Sequence, residues 1–311
     1  MSINFRLTIW IVVIILVFCG VWWLFLFTQN KSTTAPSQTQ NNQNISANIS
    51  LELTTSTKDA SDSALTSDLE VINNQMQNLD ADFLDIQKTS AQMATEISVI
   101  KNTKGISVST IIKNADNEIK QKVSDLNKIL PRVEAAKKIP DRFRNNLLLS
   151  IQAEINQLTE LKASIDSDTS MPDAIIDYAK LTKSYRVYDL VMARARIIMA
   201  ADRTLIIASF MDVLGDKVWS RISVLTGFNV STLNQKFSTF TSSISDASAK
   251  ATAAANEVYI LNEDQDNNLK LQENLSTIKD AENKIQTAIT DISVARKNIL
   301  DIVKYLARLA A

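Results

Sequence analysis

The residues best suited to contact a ligand or a partner lie in the short segment Tyr185-Arg186-Val187-Tyr188. Its two tyrosines are three positions apart, so a helix would place both rings on one face beside the arginine. Such an arrangement can stack on a ligand or on a partner protein. Tyrosine pairs on buried helices are more often core residues whose hydroxyl groups reach the edge, and we give this interpretation the greater weight. Tyr185, Arg186 and Tyr188 are therefore the candidate interaction residues.

Two turns rich in oxygen-bearing side chains begin like calcium-binding loops. Residues 166–170 alternate aspartate with serine or threonine, but Met171 replaces the glycine that an EF-hand needs at its sixth position. In the second turn, residues 264–268, Leu269 and Leu275 replace the glycine and the acid of the sixth and twelfth positions. We therefore expect two helix-capping turns and no metal site, with calcium at the first turn as the less favoured alternative.

The composition removes several other kinds of chemistry. The chain has no histidine, and its single cysteine, Cys19, lies inside an apolar run. Disulfides, Cys/His zinc sites and catalysis by imidazole or by a soluble thiolate are thereby excluded. Aspartate, glutamate, lysine and tyrosine remain for acid–base work, but none forms a recognisable pair on one helix face. We expect a protein that is not an enzyme and that binds no cofactor.

The charges nearly cancel over the whole chain but are uneven along it. With 33 basic and 34 acidic residues, no global field attracts nucleic acid, and no nucleic-acid partner is expected. Residues 113–144 carry nine basic and five acidic side chains, whereas residues 257–282 carry seven acidic and two basic. Either these segments face one another inside the fold, which we favour, or one of them forms an exposed electrostatic docking surface.

The N-terminal segment has the properties of a transmembrane helix. Residues 7–27 form an apolar run of 21 positions, which is long enough to span a hydrocarbon core of about 30 Å. Trp10 lies near one end and Trp22 and Trp23 near the other, where such rings prefer the headgroup region. We expect residues 1–28 to be an uncleaved, single-pass signal-anchor in the lipid bilayer.

A cleaved signal peptide and a lipidated Cys19 are the alternatives to this anchor. Cleavage needs a shorter apolar core and a small-residue site before the polar region, and neither is present. Phe18 stands at the position where a lipoprotein signal has a small residue. Both alternatives are therefore less favoured than a membrane span.

The segment after the anchor predicts a disordered tether. Residues 29–57 consist mostly of glutamine, asparagine, serine and threonine, a composition that cannot offset its conformational entropy by burial. Arg6 and the terminal amine precede the apolar run and only Lys31 follows it closely, which favours a cytoplasmic N-terminus. The chain is thus predicted to hold residues 58–311 on the extracytoplasmic side of the cell membrane.

The remainder of the chain predicts an all-α fold. Only four glycines and four prolines occur in 311 residues, which leaves few tight turns for a sheet. Apolar residues recur in alternating steps of four and three over residues 65–86 and 233–261, as in coiled-coil seams. We predict an elongated antiparallel bundle of about six helices, with the longest about 50 to 65 Å. Their approximate ranges are 58–103, 109–138, 140–165, 172 to 214 or 227, 233–261 and 271–306.

The fourth of these helices is predicted to lie at the centre. Residues 190–214 are apolar on most faces, so the helix should pack on several sides. The same stretch carries charged residues, which argue against a second membrane span. These are Arg194, Arg196, Asp202, Arg203 and Asp212.

Three pieces between residues 151 and 203 read LTELKASIDSDT, SYRVYDLV and AADR. Together they resemble a recurring pattern in uncharacterised, membrane-anchored helical proteins of candidate-phyla (Patescibacteria-like) bacteria. Those proteins often carry a proline where this chain has Ala193. The resemblance implies a bacterial, surface-anchored protein of unknown function, and it transfers no site residue.

The predicted architecture favours a membrane-tethered extracytoplasmic scaffold or interaction protein of the bacterial cell envelope. Its expected contacts are the lipid bilayer, through the N-terminal helix, and an unidentified protein or envelope partner. The sequence does not determine the oligomeric state, because the heptad seams can close within one chain or between chains. The alternative is a ligand-binding, sensor-like helical module without a signalling domain of its own.

Overall fold

The computed structural model describes residues 61–96, 107–225 and 230–310. The predicted membrane span and tether, residues 1–28 and 29–57, lie outside these ranges. The described part contains six α-helices and no strand, which confirms the all-α class and the number of helices. In chain order these are α1 (Asp62–Glu96), α2 (Val108–Glu134), α3 (Asp141–Asp166), α4 (Met171–Ile222), α5 (Ser231–Tyr259) and α6 (Asn268–Ala310).

Local capping signals fix where two of the helices begin. The hydroxyl group of Ser107 accepts a hydrogen bond from the backbone N–H of Thr110, at 3.3 Å, so Ser107 is the N-cap of α2. Ser170 caps α4 in the same way by accepting from the N–H of Asp173, at 3.3 Å. Pro172 lies in the first turn of α4, where a proline costs no hydrogen bond.

Helix α4 is the central element of the bundle. It packs against each of the five other described helices, as its apolar character predicts. Its 52 residues correspond to about 78 Å, which exceeds the predicted length of the longest helices. Among the helices that the structure describes, α4 included, no stretch has the length and apolar character needed to cross a membrane.

Ion pairs establish the relative directions of the helices. Asp62 near the start of α1 pairs with Arg221 near the end of α4, whereas Asp82 farther along α1 pairs with Arg203. The order is opposite in the two helices, so α1 and α4 are antiparallel. Helices α5 and α6 are also antiparallel, because Lys236 pairs with Asp301 and Lys250 with Asp291.

One hydrophobic core joins all six helices. It runs without interruption from Leu65 in α1 to Leu306 in α6. The alanine-rich half of α5 contributes buried alanines that let its neighbours approach closely. The described helices therefore form one packed bundle.

The predicted end of the second helix is wrong by about one turn. Helix α2 ends at Glu134 instead of about Lys138. The backbone N–H groups of Lys137, Lys138 and Ile139 donate to Oδ1 of Asp202 on α4, at 3.0, 2.5 and 3.0 Å. These amides are thus turned away from the carbonyl groups that a continued helix would offer them.

Gly215 does not interrupt α4, one of the two outcomes that the sequence leaves open. The helix passes through it and ends at Ile222. A Cβ atom at this position would lie 2.7 Å from Cε1 of Phe240 on α5. The glycine therefore allows a close approach between two helices and does not end one.

The basic segment 113–144 and the acidic segment 257–282 each form ion pairs with a neighbouring helix. Asp116, in the basic segment 113–144, pairs with Lys162 of α3 at 2.9 Å. In the acidic segment 257–282, Glu257 pairs with Lys284 of α6 at 2.9 Å. Each segment thus has charge partners of its own within the bundle.

Candidate functional site

A cleft lies beside the first half of α4. It lies between residues 146–157 of α3, residues 187–194 of α4 and residues 259–263 at the turn between α5 and α6. Its volume is about 590 Å³, and a second cavity of about 350 Å³ adjoins it along the same turn. The larger volume falls within the range of about 300 to 1,000 Å³ that small-molecule sites occupy. We call it the Arg194 cleft.

Two of the predicted interaction residues, Arg186 and Tyr188, contact different neighbours. Arg186 lines the smaller cavity and binds the α5–α6 turn through Asp264 Oδ1 and Asn268 Oδ1, both at 3.2 Å. Tyr188 is half-buried toward α2, where Nζ of Lys122 lies 3.9 Å from the centre of its ring. The side chain of Tyr185 lies outside the described residues. Arg186 is thus the member of the predicted group that the structure places beside a cavity.

Arg194 is the buried cation of the larger cleft. Only 6% of the residue is exposed, and its guanidinium group binds the end of α5. Nε donates to the carbonyl oxygen of Val258 at 3.1 Å, and Nη2 donates to that of Tyr259 at 3.4 Å. Nη2 also donates to Oδ1 of Asn146 on α3, at 2.8 Å. A cation at this place stabilises the negative end of the α5 dipole.

The guanidinium group has hydrogen-bond donors left over. Of its five N–H groups, three are used, and the two on Nη1 have no partner among the described residues. No carboxylate of the described chain forms an ion pair with Arg194. Burial lowers the pKa of the arginine from its ordinary value, although the nearby Tyr259 opposes this shift.

Acidic and apolar groups complete the Arg194 cleft. Glu154 of α3 is 1% exposed, while Glu263 lies on the exposed turn after α5. Leu149 and Ile260 are large apolar residues that line the same cleft, yet they are 72% and 68% exposed. A charged interior is therefore bordered by an apolar rim.

The α5–α6 turn that closes the cleft is firmly held. Oδ1 of Asp264 accepts hydrogen bonds from Arg186 and from the backbone N–H of Asp266. Gln265 and Asp266 adopt positive φ values of 48° and 66°, a strained conformation for residues with side chains. Asn267 then caps α6 by accepting from the N–H of Leu269 at 2.9 Å.

The turn at residues 166–170 is likewise built from capping contacts. Oγ of Ser167 donates to the carbonyl oxygen of Ser164 at 2.7 Å, while Ser170 caps α4. Burial, together with the negative charges of Asp177 and Asp173, raises the pKa of Asp168. Within the described residues, no group of three or more acidic side chains is arranged to hold a metal ion.

In the sequence, Arg194 is one of five charges that argue against a membrane span in the apolar helix, and no local pattern assigns it to a site. The signal that points to the cleft is an arginine inside an apolar stretch, whose charge needs a compensating group somewhere in the fold. The helix that supplies the carbonyl groups begins 37 positions later, at Ser231, so no local pattern connects them.

Comparison of the chain with models of known protein families, with curated proteins and with solved structures finds no match of any of the three kinds.

Proposed function

We propose that the chain is a single-pass membrane protein that holds an elongated, antiparallel helical bundle on the extracytoplasmic side as a scaffold or interaction module of the cell envelope. The observation that carries the proposal is the continuous core from Leu65 to Leu306, which lets the bundle act as one body. The apolar run at residues 7–27 and the polar segment at 29–57 support an anchor and a tether. The resemblance of residues 151–203 to membrane-anchored bacterial proteins agrees with this setting.

The partners in this proposal are the lipid bilayer and a protein or other component of the envelope. The module acts by binding and does not catalyse a reaction or carry a cofactor. Both heptad seams are packed into the core of one chain, so two chains would associate through other surfaces if the protein forms oligomers.

Topology is the first test of this proposal. The full-length chain with a C-terminal epitope tag is expressed in a bacterium, and protease is added to intact spheroplasts. The tag should be digested from the outside, while a cytoplasmic marker protein survives. A tag that stays protected until the membrane is lysed would contradict the proposal, as would a chain released from the membrane fraction by alkaline carbonate.

Cross-linking tests the interaction role. Membranes that contain the tagged full-length chain are treated with an amine-reactive cross-linker, and captured proteins are identified by mass spectrometry. The proposal expects a defined partner that is lost when the bundle is replaced by an unrelated helical domain on the same anchor. Equal recovery with both bundles would count against a specific scaffold.

A ligand-binding, sensor-like module is the second candidate function. The observation that favours it is the Arg194 cleft, in which a buried guanidinium group has unused donors. A thermal-shift screen of the full-length chain against a broad panel of small molecules tests it. At least one compound should raise the melting temperature, and no response across the panel would remove the candidate.

A further inference from the structure

The buried guanidinium group of Arg194 is only partly compensated by other groups of the protein. A buried cation is costly unless opposite charge and hydrogen-bond acceptors surround it. Arg194 receives carbonyl and amide oxygens, but no described carboxylate pairs with it and both N–H groups on Nη1 remain unused. An anionic ligand oxygen in the cleft would complete this environment.

A second donor lies beside the first. Oδ1 of Asn146 is held by Nη2 of Arg194 at 2.8 Å, which fixes the orientation of the amide group. The Nδ2 group of Asn146 bonds to no described residue, and Asn146 lines the same cleft. A guanidinium group and an amide group that are linked in this way offer donors to the two oxygens of one carboxylate.

The rest of the lining has a different character. Glu263 brings negative charge to the cleft, so a purely anionic ligand would be repelled there. The rim at Leu149 and Ile260 offers apolar surface that a ligand would cover. The matching ligand carries a carboxylate, a cationic group and an apolar body in one small molecule.

We propose that the Arg194 cleft binds an apolar α-amino acid. The carboxylate of the ligand accepts hydrogen bonds from Arg194 and Asn146, and its ammonium group faces Glu263. Its side chain covers the apolar rim. This inference rests on the second candidate function and names the class of its ligand.

The test compares ligands that differ by one group. The full-length chain, purified in detergent, is titrated by calorimetry with L-leucine and with L-phenylalanine. L-leucinamide lacks the carboxylate, and 4-methylpentanoate is leucine without its amine. We expect one of the amino acids to bind more tightly than about 1 mM, and each leucine analogue to bind at least about tenfold more weakly than leucine.

Variants locate the site. Asn146→Ala changes an exposed side chain of α3, and it should weaken binding about tenfold without altering the circular dichroism spectrum. Arg194→Gln should abolish binding, but it also removes contacts to the end of α5. The matched control is Arg196→Gln, because Arg196 lies on the same helix but donates to the carbonyl oxygen of Asp85 on α1. This control should leave the dissociation constant unchanged.

Three results would overturn the proposal. These are the failure of both amino acids to bind, equal binding of 4-methylpentanoate and leucine, and unchanged binding by the Asn146→Ala variant. If the amino acids fail while another compound of the broad panel binds and loses affinity in Asn146→Ala, the ligand class is wrong but the ligand-binding function stands. If no compound binds, both the proposed ligand class and the ligand-binding function are refuted.

Discussion

Oδ1 of Asp202 in α4 lies 3.0 Å from the backbone nitrogen of Ile139, in the turn between α2 and α3. The same oxygen accepts from the N–H groups of Lys137 and Lys138, so one buried carboxylate holds three successive amides. Because these amides bind Asp202 of the central helix, α2 stops before them and the turn begins there. Other charges of α4 likewise join it to a particular neighbour, as Arg203 and Lys217 do to Asp82 and Asp68 of α1.

Removal of this carboxylate should destabilise the bundle strongly. Asp202→Ala leaves three amides without their acceptor, and hydrogen bonds to charged groups contribute about 1.5 to 3 kcal/mol each. We expect the free energy of unfolding to fall by about 3 kcal/mol or more, measured by thermal and urea denaturation of the full-length chain. Asp212→Ala, at an exposed position of the same helix, is the control. If the two variants lower the free energy of unfolding equally, the Asp202 contact contributes no more to stability than an exposed aspartate.

Gly215 should not tolerate alanine, contrary to helix propensity. In an exposed helix this change would stabilise by about 1 kcal/mol, but here the new Cβ would lie 2.7 Å from Cε1 of Phe240. We expect Gly215→Ala to destabilise by about 1 to 3 kcal/mol, measured by thermal denaturation. The second change Phe240→Leu should cost less in the Gly215→Ala background than in the wild type. A higher melting temperature for Gly215→Ala alone would contradict the close approach.

The buried pair between Lys217 and Asp68 should depend on both partners. Nζ of Lys217 lies 2.9 Å from Oδ2 of Asp68, and both side chains are buried. Lys217→Met leaves a buried carboxylate alone and should cost about 3 to 5 kcal/mol, while the double variant with Asp68→Leu should recover most of this loss. Lys88→Met, which breaks an exposed pair with Asp85, should change stability by less than about 1 kcal/mol. A double variant no more stable than Lys217→Met would refute this account.

Asp168 should make the stability of the bundle depend on pH in a defined direction. Its pKa is raised above the ordinary value of 3.8, first by burial and then by the charges of Asp177 and Asp173. The charged form is therefore disfavoured in the folded state, a cost that is present at neutral pH and disappears as the pH falls below 3.8. Asp168→Asn should raise the melting temperature at pH 7 and have little effect at about pH 3.

The control for this change is Asp80→Asn, at an exposed position of α1. It should leave the melting temperature nearly unchanged at both pH values. A destabilising effect of Asp168→Asn at pH 7 would mean that the carboxylate makes a favourable contact which outweighs the repulsion from Asp177 and Asp173.

Much of the helical layout could be predicted because it depends on neighbours in sequence. The apolar steps of four and three place Leu65 and Leu69 on one face of a helix, whatever that face later meets. Ser107 and Ser170 cap helices through residues three positions away. Such signals do not need the rest of the fold.

The cleft could not be predicted, because its parts come from distant segments. Arg194 meets Asn146 across 48 positions and Val258 across 64. An arginine in an apolar helix shows that a partner is needed, but no spacing rule says which of many polar groups will meet it. The sequence groups Tyr185, Arg186 and Tyr188 as one candidate, yet Arg186 and Tyr188 contact different neighbours in the structure.

The sequence by itself determined the class of fold, the number of helices and the central place of the fourth one, because periodicity and capping are local properties of the chain. The tertiary structure decided where α2 ends, why α4 passes through Gly215, and which groups surround Arg194. Each of these depends on the approach of a second helix, whether it brings the carboxylate of Asp202 or the ring of Phe240. Such contacts join positions far apart in the chain, and only packing selects them.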